Sequence, residues 1–305
     1  MAYEPPDLRD AHHVIALFRG AAEAFRDCPL RRGSTVHLPD HGRLTATGDL
    51  HDHGLNFQRL LKFSGLTEAF EGGEDASAGG GETSGEHLIL HEVIHGPDRV
   101  NGMDLSVRML ARCADLKLRY PGHFHSLLSN HELAQYRSEG ITKDGVSVCA
   151  IFDDGVDYLY GDDADDVREA MNDYIRSLPL AIRCANGVMI SHSLPAPRRI
   201  EAFDKTVIDR ELTDEDLAPK GSAYDMVWGR HQNRKITQEL AEAWGVKLFV
   251  VGHQPAEMGI ESVADNTVII ASDHNHGVAL PIDLSQTYSQ FDLMKAAVPL
   301  AGVAV

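Results

Sequence analysis

Five times along this chain an apolar run stops and hands over to imidazole, carboxylate or amide: Gly48-Asp49-Leu50-His51, His91-Glu92, Ser129-Asn130-His131, Ser191-His192 and Gly252-His253. A buried strand can end on such groups only where partners satisfy them, because an unpaired buried charge or polar atom is costly. In open α/β folds, chemistry collects at strand ends. The sharpest instance is Ser126 to Glu132, where the apolar strand Phe124 to Leu128 breaks into a polar turn before a helix expected from Glu132.

Asp49 and His51 stand two apart, so at a strand end both face one side and offer one oxygen and one nitrogen to a cation. Glu92 closes a buried run and needs a cation or a salt-bridge partner. Oxygen and imidazole donors without thiolate suit manganese, iron or zinc. Two cations about 3.5 to 4 Å apart need a carboxylate that spans both, and Glu92 is the natural one. The chain carries 17 histidines, several beside Asp, Asn or Glu.

The rest of the chain reads as support. Val14, Leu17, Phe18, Ala21, Ala22 and Phe25 recur at helical spacing in Ala11–Phe25, within an N-terminal helix expected at about 10–27. Ser34–Leu38 and Arg43–Thr47 read as short strands joined by a turn at Pro39–Gly42, then a helix over Leu55–Phe63. His87–Ile94 reads as a strand, Met103–Tyr120 and Val167–Leu178 as helices, Gly187–Ser191 as a strand, Asn233–Trp244 as a helix and Val246–Val251 as a strand. The early strand-helix alternation predicts βαβ crossovers and a largely parallel sheet. Thr267–Ala271 and Gly277–Ile282, flanking Asp273, His274, Asn275 and His276, predict a second, more antiparallel one. One domain over residues 1–305 is expected, with insertions near 71–85, 141–166 and 198–221. The first reads as a mobile Gly/Glu/Ser loop, the second as a solvated acidic excursion and the third as irregular and charged.

Charge and cysteines bound the partners. With 28 Lys and Arg against 46 Asp and Glu, the net charge of −18 disfavours a nucleic-acid polymer. Cys28, Cys113, Cys149 and Cys184 have no paired spacing, which fits a reducing cytoplasm. The opening residues lack the basic and apolar regions of a secretory signal, and the apolar tail Ala296–Val305 is too short to span a bilayer, so no membrane role is expected.

In their order, these motifs resemble the calcineurin-like metallophosphoesterases, and within them the phosphoprotein-phosphatase branch. The family's Gly-Asp-x-His, Gly-Asp-x-x-Asp-Arg-Gly, Gly-Asn-His-Glu, strand-end His-Gly-Gly and late strand-end histidine are met here by Gly48–His51, His91–Gly96, Ser129–Glu132, Ser191–Ser193 and Gly252–Pro255. Leu178-Pro179-Leu180-Ala181 also looks like a run of that branch, and the likeness extends from about Arg43 to Asp283. The resemblance implies a four-layer α/β/β/α sandwich of two mixed β-sheets flanked by helices, with a dinuclear metal site at the strand ends. It implies Asp49 and His51 on one ion, Asn130, His192 and His253 on the other, Glu92 bridging, and His131 as the general acid that protonates the leaving oxygen after metal-activated water attacks phosphorus.

The chain departs from the pattern at several points. His91-Glu92 stands where the family has Gly-Asp, lengthening the bridge by one methylene. The Asp that orients the acid histidine falls on His95 by strict spacing, or on Asp98 if the Asp98-Arg99 pair is displaced by a three-residue insertion; the displaced register is preferred. Arg99, Arg230 and Arg234 are candidates for phosphate binding. His274 and His276 either line the pocket or cap a turn. The resulting expectation is a dinuclear-metal phosphoesterase acting on a phosphorylated protein or small molecule. The alternatives are a nucleotide or dinucleoside-polyphosphate hydrolase, and a metal-binding regulatory module without catalysis.

Overall fold

The computed structural model describes residues 3–70, 85–139, 141–143 and 145–305. Among them, strands build two large mixed sheets. One runs in the order β1 (Arg31–Arg32), β2 (Thr35–Leu38), β8 (Ala181–Cys184), β9 (Val188–Ser191), β10 (Leu248–Val251), β12 (Thr267–Ile270) and β11 (Ile260–Val263). The other runs β14 (Val298–Pro299), β13 (Val278–Asp283), β3 (Arg43–Thr47), β4 (Glu86–His91) and β5 (Phe124–Leu127). A small hairpin, β6 (Thr142–Lys143) and β7 (Val146–Ser147), stands apart. The helices are α1 (Ala11–Arg26), α2 (Gly54–Ser64), α3 (Leu66–Phe70), α4 (Val107–Arg119), α5 (Asn130–Arg137), α6 (Val148–Tyr160), α7 (Ala164–Ser177), α8 (Asp214–Leu217), α9 (Ser222–Trp228), α10 (Arg234–Trp244) and α11 (Gln290–Ala296).

The period of two along each strand explains the layering. In β4, Ile89 faces the other sheet while Leu88 and Leu90 face helices; in β10, Leu248 and Val250 face inward while Phe249 and Val251 join the helical side. Strands buried on both faces must be nearly continuous in apolar residues, as these are. The inter-sheet core joins Val36, Ile190, Val250 and Ile270 of one sheet to Leu44, Ile89, Leu127 and Leu280 of the other. Helix α4 lies against β5, α2 against β4, and α1 packs on α4 and α7. On the opposite side Trp244 of α10 sets its ring edge-on to Phe249, 6.0 Å between centroids. The result is the expected α/β/β/α sandwich.

Several local expectations change. The turn expected between β2 and β3 carries the chain from one sheet to the other, β2 pairing with β8 and β3 with β4 and β13. Parallel and antiparallel strands are not segregated. β12 and β13 lie in different sheets, β11 was not foreseen, and β9, β10 and β12 are parallel neighbours. The acidic excursion is no solvated loop. Within 141–166, α6 buries Val148, Phe152, Val156 and Tyr160 at helical spacing and turns Asp154 and Asp157 outward. Helix α7 starts at Ala164 and α4 only at Val107. The tail docks, with β14 paired to β13 and Leu300 buried. The Gly/Glu/Ser stretch falls almost wholly outside the described residues. No helix among the described residues is long and apolar enough to cross a membrane, and all four cysteines are free and buried.

Candidate metal centre

Strands β3 and β4 are parallel neighbours, so their carboxyl ends, with that of β5, lie side by side. After β3 the chain turns through Asp49 to His53 into α2, whose N-cap is the His53 ring. The turn is anchored on β4: the Leu50 and His51 amides both donate to the Glu92 carbonyl, at 3.1 and 2.8 Å. Asp49 is aimed by the far sheet, where the His253 amide donates to both of its carboxylate oxygens at 2.9 Å. After β5, Ser129 caps α5 by accepting from the His131 and Glu132 amides. Glu132 is itself buried and accepts from the Val93 amide at 2.8 Å. The Glu of Asn-His-Glu therefore ties α5 to the end of β4 and sets Asn130 and His131 beside Glu92.

The groups converge on Glu92. Its Oε1 lies 2.9 Å from His51 Nε2 and 3.9 Å from His131 Nε2, and its Oε2 lies 2.9 Å from His192 Nε2. His192 Nε2 also meets Asn130 Oδ1 at 2.6 Å, and the His253 ring stands edge-on to His192 at 4.9 Å between centroids. Three of the residues that deliver these groups, His51, Glu92 and His253, have φ of 45, 48 and 64°. Non-glycine residues seldom adopt that region, and such strain gathers at functional sites.

The charges are as closely coupled as the atoms. Burial raises Asp49 to about 7, and the Glu92 carboxylate adds to the shift. Burial alone would also raise Glu92, but His192, His131 and His51 hold it well below the usual carboxylate range. Burial lowers His51 and His192, yet Glu92 outweighs it and both are raised, His51 to about 10. His253 is pushed down to about 2 by burial and by His192.

A cation fits this cluster. Three groups of ligand atoms lie within 4.8 Å of one another: His51, Glu92 and His131; Glu92, His192 and His253; and Asp49, His91 and His192. Glu92 is shared by the first two. His253 Nδ1 is buried with no hydrogen-bond partner.

The other expected site residues divide. Arg230 reaches the cluster, its Nε donating to His253 Nε2 at 2.9 Å. It lines a cavity of about 450 Å³ together with Asp49, His51, His131, His253 and His274. Arg234 does not: it is exposed on α10 and paired with Asp265 at 2.8 Å. Asp98 and Arg99 are exposed too. The position beside His131 belongs to His95, Nδ1 to Nδ1 at 2.9 Å, and not to the preferred Asp98. His274 lines the cavity and bonds to the Ala256 carbonyl, while the His276 amide donates to His274 Nδ1, a turn cap. His91, expected only as a substitution for glycine, is wholly enclosed between Thr47 and His192. A larger hollow of about 700 Å³ lies among Tyr3, Phe57, Leu61 and Arg112 and holds none of these groups.

No family model and no curated protein matches the sequence. Solved structures do. A protein serine/threonine phosphatase from Saccharomyces cerevisiae, described as similar to human phosphatase PP5, shares 16% identity and a TM-score of 0.65 over 96% of this chain and 93% of that one. A cold-active protein-tyrosine phosphatase of the psychrophile Shewanella sp. shares 16% identity and a TM-score of 0.52 over 83% of this chain and 78% of its own. The fold of this chain is therefore that of the phosphoprotein-phosphatase-like proteins its motifs resemble.

Proposed function

We propose that the chain is a dinuclear-metal phosphoesterase that hydrolyses a phosphomonoester, carried on a protein or on a small molecule. The observation that carries this reading is the position of Glu92, whose two oxygens each meet a different set of imidazoles. That is the arrangement a carboxylate shared by two cations requires. Asp49, His51 and Glu92 would hold one ion; Glu92, Asn130, His192 and His253 would hold the other. Oxygen and nitrogen donors without thiolate suit manganese, iron or zinc. Such ions, when bound, polarise phosphoryl oxygens and supply activated water.

The chain's own groups do the rest. Arg230, at the cavity wall, offers a planar guanidinium to phosphate oxygens. His131 turns Nε2 toward Glu92 and the cavity and delivers a proton to the leaving oxygen. The similar solved structures support phosphate-ester chemistry, and their titles name both serine/threonine and tyrosine phosphatases, so the fold does not choose among phosphorylated residues.

The test is turnover of a generic aryl phosphate by the full chain loaded with manganese, iron or zinc, alongside measured metal content. Metal-dependent turnover is expected, abolished in Glu92→Ala and lowered in kcat by about 10²- to 10⁴-fold in His131→Ala. Near-stoichiometric metal with no turnover under any of the three ions would overturn the proposal in favour of a binding module.

A further inference from the structure

Two of the positions at which the second motif departs from its family, His91 and His95, stand in equivalent relation to the cluster. His91 Nδ1 lies 3.0 Å from His192 Nδ1, and His95 Nδ1 lies 2.9 Å from His131 Nδ1. Each of the two rings is fixed from behind by an oxygen. His91 Nε2 meets the Thr47 carbonyl at 2.8 Å, and His95 Nε2 meets Gln135 Oε1 at 3.0 Å. The Gln135 amide is itself oriented, since its nitrogen donates to Asp153 Oδ1 on α6 at 2.8 Å and its oxygen is left to face His95. Asp153 is in turn 3.7 Å from the Arg168 guanidinium on α7.

The proton positions follow from donor and acceptor chemistry. A carbonyl oxygen only accepts, so His91 and His95 carry their protons on Nε2 and present a lone pair at Nδ1. Both are buried, and it is His192 and His131, at 2.9 and 3.9 Å from the Glu92 carboxylate, that are placed to hold the additional proton. Across each Nδ1–Nδ1 contact the other ring must then donate.

We propose that His91 and His95 are positioning residues that hold His192 and His131 with a proton on Nδ1, keeping Nε2 of both rings turned toward Glu92. His51 reaches the same state by the simpler route of donating from Nδ1 to the Ile94 carbonyl at 3.0 Å. All three Nε2 atoms around Glu92 are thereby fixed in direction, two of them by imidazole acceptors. On the His131 side the chain runs on through Gln135 and Asp153 to α6 and α7, which makes the acidic segment part of the site's support. Anchoring of a metal-binding histidine through its second nitrogen is typically worth about 10- to 100-fold in metal affinity. That consequence rests on the two-metal reading above; the proton positions do not.

The test is ¹⁵N-detected NMR of the histidine rings in the full chain, metal-free and loaded with diamagnetic zinc. Nδ1 of both His192 and His131 is expected to carry a proton in both states. An unprotonated Nδ1 on either ring overturns the proposal. Loss of the His192 Nδ1 proton on zinc loading also overturns it, placing the ion between Asp49, His91 and His192 instead.

In variants, His91→Leu should weaken zinc binding about 10- to 100-fold by calorimetry. His95→Leu should release the His131 tautomer, and His95→Asn, which keeps an acceptor, should restore it. The unmodified protein alone decides the outcome if His91→Leu does not fold. Protonated Nδ1 atoms without ester turnover would sink the phosphoesterase reading and leave this one standing; turnover with an unprotonated Nδ1 would do the reverse.

Discussion

Gly252 shows how little room the cluster has. A Cβ there would collide with Asp49 Oδ1 and lie 2.8 Å from His91 Cε1. Neither neighbour can retreat, because Asp49 is held by the His253 amide and His91 by Thr47 and His192. Gly252→Ala is therefore expected to cost about 1 to 3 kcal/mol of stability, the usual cost of overpacking. It should also weaken manganese binding, although glycine contributes no ligand. Melting curves with and without manganese check both, and a variant with native metal affinity would contradict the packing described for Asp49. At this scale the sequence was legible wherever chemistry and position coincide. Asp49, His51, Glu92, Asn130, His131, His192 and His253 all end apolar runs and all reach the cluster. His91 was not legible as a site residue, because a histidine inside His-Leu-Ile-Leu-His looks like a core residue until Thr47 and His192 are seen on either side of it. Gln135 was hidden in the same way, as an ordinary polar residue on a helix.

Strands β4 and β5, with the turn that leads into β5, carry a second set of histidines away from the Glu92 cluster. His87 stacks on His123 and His125 with centroids 4.9 and 5.6 Å apart, and His87 Nδ1 lies 3.3 Å from His125 Nε2. Burial pushes His87 down to about 3 and holds His125 well below its ordinary value, with neighbouring histidines and Lys117 adding to the shift. Unfolded, the same rings bind protons near 6.5. Between those values the unfolded chain holds more protons, so stability is full above about pH 6.5 and is lost as pH falls toward 3, by about 1.4 kcal/mol per pH unit per histidine. Replacing His125 with leucine should flatten the acid limb of a denaturation series. An unchanged slope would mean that these rings do not titrate with unfolding. Element existence was largely readable from periodicity, whereas sheet membership was not. Nothing local in Thr35–Leu38 or Arg43–Thr47 says that the turn between them crosses from one sheet to the other. The acidic residues of α6 likewise masked the apolar face of Val148, Phe152 and Val156, which only packing reveals.

Over the whole molecule the chain carries a net charge of −18, while the function proposed for the cavity beside Glu92 is to receive an anion. Cations bound there would supply a local positive field, but the approach would be shaped by the acidic surface. A phosphopeptide with lysine or arginine flanks should show a kcat/KM about tenfold above one with aspartate or glutamate flanks at low salt, the gap closing as salt screens the surface. Equal values at low salt would show that the flanks never meet that field.

Five chain segments meet at Glu92, and the proposed function has them hold two ions on either side of that one carboxylate. Anomalous diffraction from crystals grown with manganese tests it most directly. Two peaks about 3.5 to 4 Å apart are expected, flanking Glu92, one beside Asp49 and His51 and the other beside Asn130, His192 and His253. A single peak away from Glu92, or none at full manganese loading, would contradict it.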